Sequence, residues 1–152
     1  MPPIEGSFKL HTARSAGFEI YQPGDVAYVS NSLRDNGVIG YVTARSHDRV
    51  FRFLGICVSA FGEATVQVPP FIARGNGGSG LIVLEPLRPM TFHQLGYVAG
   101  YINEFIRWRF SWYRQASVQR IRSLEIPDPA RATARFAVDE FVPKPSGPAK
   151  HF

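Results

Sequence analysis

The sequence predicts an α+β fold, in which a curved β-sheet or half-open barrel is packed by one long helix and a short C-terminal helix. Short runs of β-branched and aromatic residues, separated by turn residues, fill the first half of the chain. Near Pro89 the apolar residues change to helical spacing. The 152 residues suffice for one domain with a single core. We therefore expect one domain over residues 1–128, with its core at about 17–128.

Five apolar runs between residues 24 and 85 predict the strands. DVAYVS follows a turn at QPGD, and GVIGYV follows the turn signal Asp35-Asn36-Gly37, which leaves SNSLRD as a polar loop between two strands. FLGICVSA and ATVQVPPFIA come next, separated by FGE, and GLIVLEP completes the set. The first half of the chain is therefore expected to be β-rich.

The second half of the chain predicts helices. Apolar residues recur at helical spacing, at Leu95, Val98, Ile102, Phe105 and Ile106. Thr91 and Gln94 fit a capping box, so the long helix is expected from about Phe92 to Arg109. The segment SVQRIRSL predicts a shorter helix that leads into a last strand at EIP. Residues 129–152 predict a short helix and a loose, proline-rich tail.

Composition excludes several classes of protein. No apolar run approaches the roughly 18 to 20 residues that span a bilayer, and the N-terminus lacks the regions of a signal peptide, so we expect a cytoplasmic protein. Cys57 is the only cysteine and is interpreted as a buried structural thiol. The four histidines lie far apart, without the spacing that puts two imidazoles on one helical face. No metal or other cofactor is expected.

The motifs of common catalytic sites are missing from the sequence. It contains no NPPY or DPPY tetrapeptide of an amino-methyltransferase, no acidic pair followed by ExK of a nuclease, and no GxSxG, so we do not expect an enzyme. RGNGGSG, residues 74–80, resembles a phosphate-binding glycine loop but lacks the GK[ST] ending and precedes a strand. It is interpreted as a loop between strands, where glycine would still allow the backbone to approach DNA closely.

Arginine dominates the positive charge of the chain. The net charge is +5, with fourteen arginines and three lysines, and five of the fourteen lie between Arg107 and Arg122 among several aromatic residues. A GC-rich genome would explain the total but not this placement. Because the planar guanidinium suits phosphate oxygens and the edge of guanine, the segment predicts a polyanion-binding surface. The alternative is a solvated basic face with the aromatic residues in the core; Trp108 and Phe110 in particular are expected to pack inward.

The order of several motifs resembles a known family. YVSNSLRDNGVIGYV, GICVSAFGEATVQVPPFIARG, LIVLEP and LGYVAGYINEFIRWRFSWYRQASVQRIRSLEIPDP occur in the order seen in the target recognition domain of type I restriction-modification specificity subunits, which is also found in fused type IIG and IIB enzymes. The resemblance covers roughly residues 17–128. RFSWYRQASVQRIRSLEIP is similar to the family pattern YGRKWxxERLKxxxIxLP, with Arg114 near its arginine step and Arg120 near its second arginine, although the glycine is replaced. VSAFGEATVQVPPFIA resembles the family's apolar strand, small-residue turn and PFxA segment.

The resemblance implies a non-catalytic domain that binds duplex DNA sequence-specifically. A complete specificity subunit has two such domains held apart by long helices, whereas ARATARFAVDEF is too short for such a spacer. The chain is then a half-subunit, a single-domain relative inside another defence complex, a part positioned by another protein, or a fragment, although Met1 suggests a natural start. The implied partners are double-stranded DNA, a DNA adenine methyltransferase and possible restriction subunits, and a homodimer is an open alternative.

The candidate DNA-binding residues fall in two segments and one isolated position. The polar loop offers donors and acceptors for base edges, and the arginine-rich segment offers phosphate contacts. The complete set is Asn31, Ser32, Arg34, Asn36, Arg74, Arg109, Ser111, Tyr113, Arg114, Gln115, Arg120 and Arg122. Two other functions stay open: an RNA-binding module that stacks unpaired bases, and a protein-interaction domain that keeps the fold without binding DNA.

Overall fold

The computed structural model describes residues 1–75, 80–110 and 114–132. Within them the chain forms seven strands: β1 (Phe8–Thr12), β2 (Pro23–Val29), β3 (Val38–Val42), β4 (Gly55–Val58), β5 (Ala64–Gln67), β6 (Phe71–Ala73) and β7 (Ile82–Pro86). The helices are α1 (Phe92–Tyr101), which continues as a π-helix (Ile102–Ile106) and a 3-10 turn (Arg107–Arg109), and α2 (Val118–Ile121). Short 3-10 turns lie at Ile4–Gly6, Phe18–Ile20, Arg34–Gly37 and Pro129–Arg131.

The strands form two sheets. One sheet has four strands in the order β1-β7-β4-β5, and all its neighbours are antiparallel. The other has three strands in the order β3-β2-β6, in which β2 is antiparallel to β3 and parallel to β6. Together with the helical segment over residues 92–109, this arrangement confirms the predicted α+β fold class.

The predicted run ATVQVPPFIA is divided between the two sheets. β5 belongs to the four-stranded sheet, and β6 belongs to the three-stranded sheet. Pro69 and Pro70, which lie between the two strands, have no amide hydrogen to donate to a ladder, so pairing is interrupted there. The connection between β5 and β6 therefore links one sheet to the other.

Two further elements differ from the sequence-based expectation. β1, which was not predicted, pairs with β7 along all five residues, and its buried His11 lies 2.7 Å from Glu85 Oε1. The predicted last strand at EIP is a single antiparallel bridge between Glu125 and Pro3. The N-terminal segment thus contacts the rest of the fold both through the pairing of β1 with β7 and through the bridge at Pro3.

The long helix begins where the capping box places it. The Thr91 side chain accepts a hydrogen bond from Gln94 N at 3.1 Å, and the Gln94 side chain accepts one from Thr91 N at 2.9 Å. Helical structure then continues without a break to Arg109. The prediction of a helix over residues 92–109 is confirmed, with a change of helix type at Ile102.

The apolar core forms layers on both faces of the sheets. The largest cluster lies between the four-stranded sheet and the helices, with Ile56, Leu84, Leu95, Val98 and Ile102 fully buried. A second cluster joins the sheets, and a third contains Tyr28, Val42 and Ile72. Cys57 belongs to the second cluster and is 1% exposed, and its burial raises the pKa of the thiol. Cys57 is therefore a buried core residue, as the sequence suggested.

The C-terminal tail lies largely outside the described residues. The predicted short helix corresponds in part to the 3-10 turn Pro129–Arg131, whose first turn is capped by the Asp128 side chain on Ala130 N. Residues 133–152, to which the loose tail was assigned, are not described. Across the ranges that the structure describes, none of the helices has the length and apolar character needed to cross a membrane.

Candidate nucleic-acid interface

Three predicted DNA-binding arginines line one groove, which we call the arginine groove. Arg109, Arg114 and Arg120 border a depression of about 230 Å³ together with Trp108, Phe110 and Leu124. All three arginines are exposed. Within the described ranges none of them forms an ion pair, and no carboxylate lines the groove. The groove therefore collects three guanidinium groups, while Glu125 borders the adjacent depression that Arg109 also lines.

Two helical elements bring these arginines together. Arg109 ends the helical segment, and Arg120 lies in α2, whose N-cap Ser117 accepts a hydrogen bond from Arg120 N at 3.2 Å. The Arg120 guanidinium is held in place because its Nη1 donates to Gln115 O at 2.7 Å. A fixed guanidinium loses less conformational entropy when it binds an anion than a free one does.

The turn between β4 and β5 supports both sides of the groove. Ala116 N donates a hydrogen bond to Ala60 O at 2.7 Å, which fixes the segment that leads into α2. A Cβ atom on Gly62 would lie 2.7 Å from Arg107 Cα, so the turn packs directly against the end of the helix. Glu63 lies 3.9 Å from the Arg107 guanidinium. Residues 59–63 thus set the distance between Arg109 and Arg120.

Trp108 does not pack inward as the sequence suggested. Its side chain is 71% exposed, whereas Phe110 is 8% exposed and belongs to the core, as expected. Ile106 faces the core, and a residue two positions later lies roughly 200° further around a helix, so the Trp108 side chain points to solvent. The Arg109 guanidinium carbon lies 5.3 Å from the centroid of its ring. The helical spacing of the core residues could have revealed this outward position.

The remaining residues of the arginine-rich segment are distributed differently. Arg122 is exposed, but it is not among the residues that line the groove, and its carbonyl accepts a hydrogen bond from Glu5 N. Gln115 is partly buried, and its carbonyl holds Arg120. Ser111 and Tyr113 lie outside the described residues. Residues two apart lie roughly 200° from each other around a helix, and of these two arginines only Arg120 lines the groove.

The polar loop forms a tight turn between β2 and β3. Asp35, Asn36 and Gly37 all have positive φ, at 52°, 55° and 79°, in the left-handed region that Asp, Asn and Gly tolerate best. The Ser32 hydroxyl oxygen accepts a hydrogen bond from Arg34 N at 2.9 Å, and Arg34 is exposed. The base-reading role of this loop stays a prediction.

Other predicted DNA-binding residues lie close to the protein's own strands, and Asn36 forms hydrogen bonds with β5. The Asn36 side-chain amide donates to Val66 O at 2.8 Å, and Gln67 Nε2 donates to Asn36 O at 2.6 Å. Asn31 is partly buried. Arg74 is exposed just after β6, and its backbone N donates to Val29 O, at the start of the polar loop. The rest of the glycine loop, residues 76–79, lies outside the described residues.

Asparagine side chains cover the open edge of β5. Asn103 makes two hydrogen bonds to one residue: its Oδ1 accepts from Ala64 N at 2.8 Å and its Nδ2 donates to Ala64 O at 3.0 Å. Asn36 covers Val66 O on the same strand. Since an edge strand leaves its backbone groups unpaired, these side chains supply the partners that a neighbouring strand would provide. The sequence analysis did not identify Asn103.

A second and larger cleft adjoins the arginine groove. It has a volume of about 520 Å³, and it lies between the helical segment and the polar loop. Its lining includes Leu33 and Asn36 from the loop, and Asn103, Glu104 and Arg107 from the helix. Because Arg107 borders this cleft and Trp108 borders the arginine groove, the two concave surfaces meet at the end of the helix. The polar loop is therefore close to the arginine-rich segment in space, although about seventy residues separate them in sequence.

No metal site is formed by the residues that the structure describes. Among them, no three His, Cys, Asp or Glu side chains are grouped so that they could hold an ion. The groove presents guanidinium and aromatic groups, and the cleft presents amide, guanidinium, aromatic and carboxylate groups. Such groups bind by hydrogen bonding, charge and stacking.

Comparisons with known proteins give one structural match. No protein-family model matches the sequence, and no curated protein matches it. Among solved structures, the S subunit of a type I restriction-modification system from M. genitalium superposes with a TM-score of 0.54 at 18% identity. The superposition covers 82% of this chain and 32% of that subunit, so this chain spans about a third of its length. The chain therefore has a fold found in a type I restriction-modification S subunit, which agrees with the family that the motif resemblance named.

Proposed function

We propose that this chain is a sequence-specific, double-stranded DNA-binding module of a restriction-modification or related phage-defence system. It has no catalytic activity of its own and directs a methyltransferase or nuclease partner in the cytoplasm. The observation that carries this proposal is the arginine groove, which brings Arg109, Arg114 and Arg120 together with no carboxylate among its described lining residues. The structural likeness to an S subunit supports the same function.

The charges of the arginine groove suit a phosphate backbone. Arginine stays ionised at any physiological pH, and its planar donors match phosphate oxygens in two-point contacts. Three guanidinium groups along one groove would release counterions from DNA, which makes binding depend strongly on salt. Phosphate contacts position a protein on the duplex without reading its sequence, so a second surface must supply specificity.

The polar loop is the proposed source of that specificity. Arg34 is exposed, and Leu33 and Asn36 on either side of it in sequence line the larger cleft together with Arg107. Arginine is suited to the O6 and N7 acceptors of guanine in the major groove. The tight left-handed turn at Asp35–Gly37 presents Arg34 from a fixed backbone.

Alanine substitutions of the groove arginines test the phosphate contacts. For each of Arg109→Ala, Arg114→Ala and Arg120→Ala, we expect weaker binding to all duplexes and a salt slope reduced by about 0.9, because one phosphate contact is lost. Affinity is measured across a salt series with a pool of random-sequence duplexes. The matched control is Arg88→Ala, which removes an exposed arginine before the other end of the helix. Three single variants with wild-type affinity and slope would contradict the proposed phosphate surface.

Substitution of Arg34 tests the base-reading loop separately. We expect Arg34→Ala to relax the preference at one base position by about 1 to 3 kcal/mol, because a two-point contact to one base is lost. The measurement compares binding-site selection from the random pool by the wild type and the variant. An unchanged selected motif would mean that Arg34 does not read a base, even if the groove arginines contact phosphates.

The same surfaces allow a direct comparison with RNA. A module for duplex DNA should bind a DNA duplex in competition with an equal concentration of single-stranded RNA. Stronger competition by the RNA would favour an RNA-binding module that uses the exposed indole of Trp108. Affinity that is insensitive to salt would instead indicate a protein-interaction domain, since apolar contacts release few ions.

A further inference from the structure

We infer that Trp108 is a stacking platform for one nucleobase that has left the helical stack of DNA held in the arginine groove. This inference rests on the proposed DNA-binding function and extends it. It names the form of DNA that the groove prefers: a duplex containing an unstacked or unpaired nucleotide. The residues that carry it are Trp108, Arg109 and the two other arginines of the groove.

The exposure of Trp108 requires an explanation. At 71% exposed it is the most exposed of the large hydrophobic side chains that the structure describes. Leaving an indole of this size in water forgoes the stabilisation that burial provides, about 1.5 to 3 kcal/mol for a large apolar side chain. Its neighbour Phe110 is buried in the core, so the local backbone can place an aromatic ring inside. The indole is therefore available to a ligand.

The backbone that carries Trp108 is anchored by its buried neighbours. The 3-10 turn Arg107–Arg109 lies between the buried side chains of Ile106 and Phe110. The Arg109 guanidinium lies 5.3 Å from the indole centroid. A ring on an anchored turn loses less entropy when a base binds than a ring on a mobile segment does.

The lining of the groove favours a nucleobase over an apolar protein side chain. Three guanidinium groups border the same depression as the indole, and no carboxylate is among the described residues that line it. An apolar partner would have to remove these charges from water without a compensating group, whereas a nucleotide brings a phosphate together with its base. Aromatic rings beside cationic grooves bind bases by stacking whatever their identity, because every base has a π-face.

The test compares two duplexes that differ by one nucleotide. One is fully paired, and the other has the same sequence with a single unpaired 2-aminopurine bulge. We expect the wild type to bind the bulged duplex more tightly by between about fivefold and a hundredfold, the range of one base stacked on an aromatic ring. The fluorescence of 2-aminopurine should fall on binding, because the base stacks on the indole.

Variants of Trp108 distinguish base stacking on the indole from phosphate binding by the arginines. Trp108→Ala should lose the preference for the bulge and the quenching of 2-aminopurine, while affinity for the paired duplex and the salt slope stay as in the wild type. Trp108→Phe should keep part of both effects. The matched control is Tyr41→Ala, which removes an aromatic ring that is 61% exposed on β3, outside both the groove and the cleft, and which should behave as the wild type.

The possible failures are distinguishable. Equal affinity of the wild type for both duplexes, or a full bulge preference in Trp108→Ala, overturns the stacking inference and leaves the groove arginines as phosphate contacts. If the wild type binds neither duplex with a salt-dependent affinity, the proposed function fails and the inference fails with it. A Trp108→Ala protein that retains the wild-type circular dichroism spectrum and melting temperature excludes misfolding as the cause of any loss.

Discussion

Replacing Asn103 with alanine is expected to lower the free energy of unfolding by about 2 to 4 kcal/mol. The side chain satisfies both backbone groups of Ala64, with hydrogen bonds of 2.8 and 3.0 Å. Ala64 is 3% exposed, but it lines the larger cleft together with Asn103, so water can replace part of the lost hydrogen bonding and the effect stays in the lower part of the range for two buried groups. An unsatisfied buried donor or acceptor costs about 1 to 3 kcal/mol, and two such groups are created here.

The measurement is urea-induced unfolding of the wild type and the variant. Asn103→Asp gives a sharper test, because the carboxylate still accepts from Ala64 N but cannot donate to Ala64 O. We expect it to be at least as destabilising as the alanine variant, since it also places a negative charge against a carbonyl oxygen. Gln22→Ala is the control, because Gln22 is exposed. It should change the stability by less than about 0.5 kcal/mol.

If Asn103→Ala changes the free energy of unfolding by less than about 0.5 kcal/mol, the edge of β5 does not depend on these two hydrogen bonds. The same hydrogen bonds connect the π-helix to the four-stranded sheet, just before the 3-10 turn that bears Trp108 and Arg109. A loosened π-helix would therefore disturb the arginine groove. We expect the destabilised protein to bind DNA more weakly even at temperatures where it is fully folded.

The parts of this fold that could be predicted depend on local interactions. The capping box at Thr91 and Gln94 involves residues three apart, and the turn at Asp35–Gly37 depends on residues that tolerate the left-handed region. Helical spacing revealed the segment over residues 92–109 because its buried face repeats within the segment itself. Each of these features can be recognised from a few consecutive residues.

The parts that were missed depend on contacts between distant residues. β5 and β6 join different sheets because of partners far away in sequence, and the paired prolines alone do not reveal those partners. Asn103 bonds to a strand 39 residues earlier, and nothing in its own neighbourhood indicates this role. Arg109 and Arg120 border one groove with support from Ala60 and Gly62, which lie far earlier in the sequence and were not predicted. Contacts of side chains and loops with residues far away in sequence thus cannot be read from a local sequence pattern.

A second large effect on stability is expected at Gly62, in the turn between β4 and β5. Gly62 has a φ of +81°, and a Cβ atom there would lie 2.7 Å from Arg107 Cα and 2.8 Å from the Phe110 ring. Alanine in the left-handed region costs about 1 to 2 kcal/mol. Overpacking against a backbone atom that cannot rotate away adds about 1 to 3 kcal/mol. We expect Gly62→Ala to lower the free energy of unfolding by about 2 to 4 kcal/mol.

Gly96→Ala provides the matched control for this substitution. Gly96 lies inside α1, and a Cβ atom there would meet nothing within 4 Å, so alanine should stabilise the protein by about 0.5 to 1 kcal/mol. The same substitution is therefore expected to lower the free energy of unfolding at Gly62 and to raise it at Gly96. Both variants are compared with the wild type by urea unfolding. A neutral or stabilising Gly62→Ala would mean that the turn and the helix end do not pack together closely.

The effect of Gly62→Ala on binding follows from the same contact. The added methyl group must push Arg107 away from the turn, and Arg109 lies two residues further along the same 3-10 turn. Ala60, in the turn itself, still holds the segment that carries Arg120, so the two sides of the arginine groove should separate. We expect weaker DNA binding by Gly62→Ala at temperatures where it remains folded. Wild-type affinity of Gly62→Ala for a duplex would show that the spacing between Arg109 and Arg120 does not matter for the polyanion, and that each arginine acts independently.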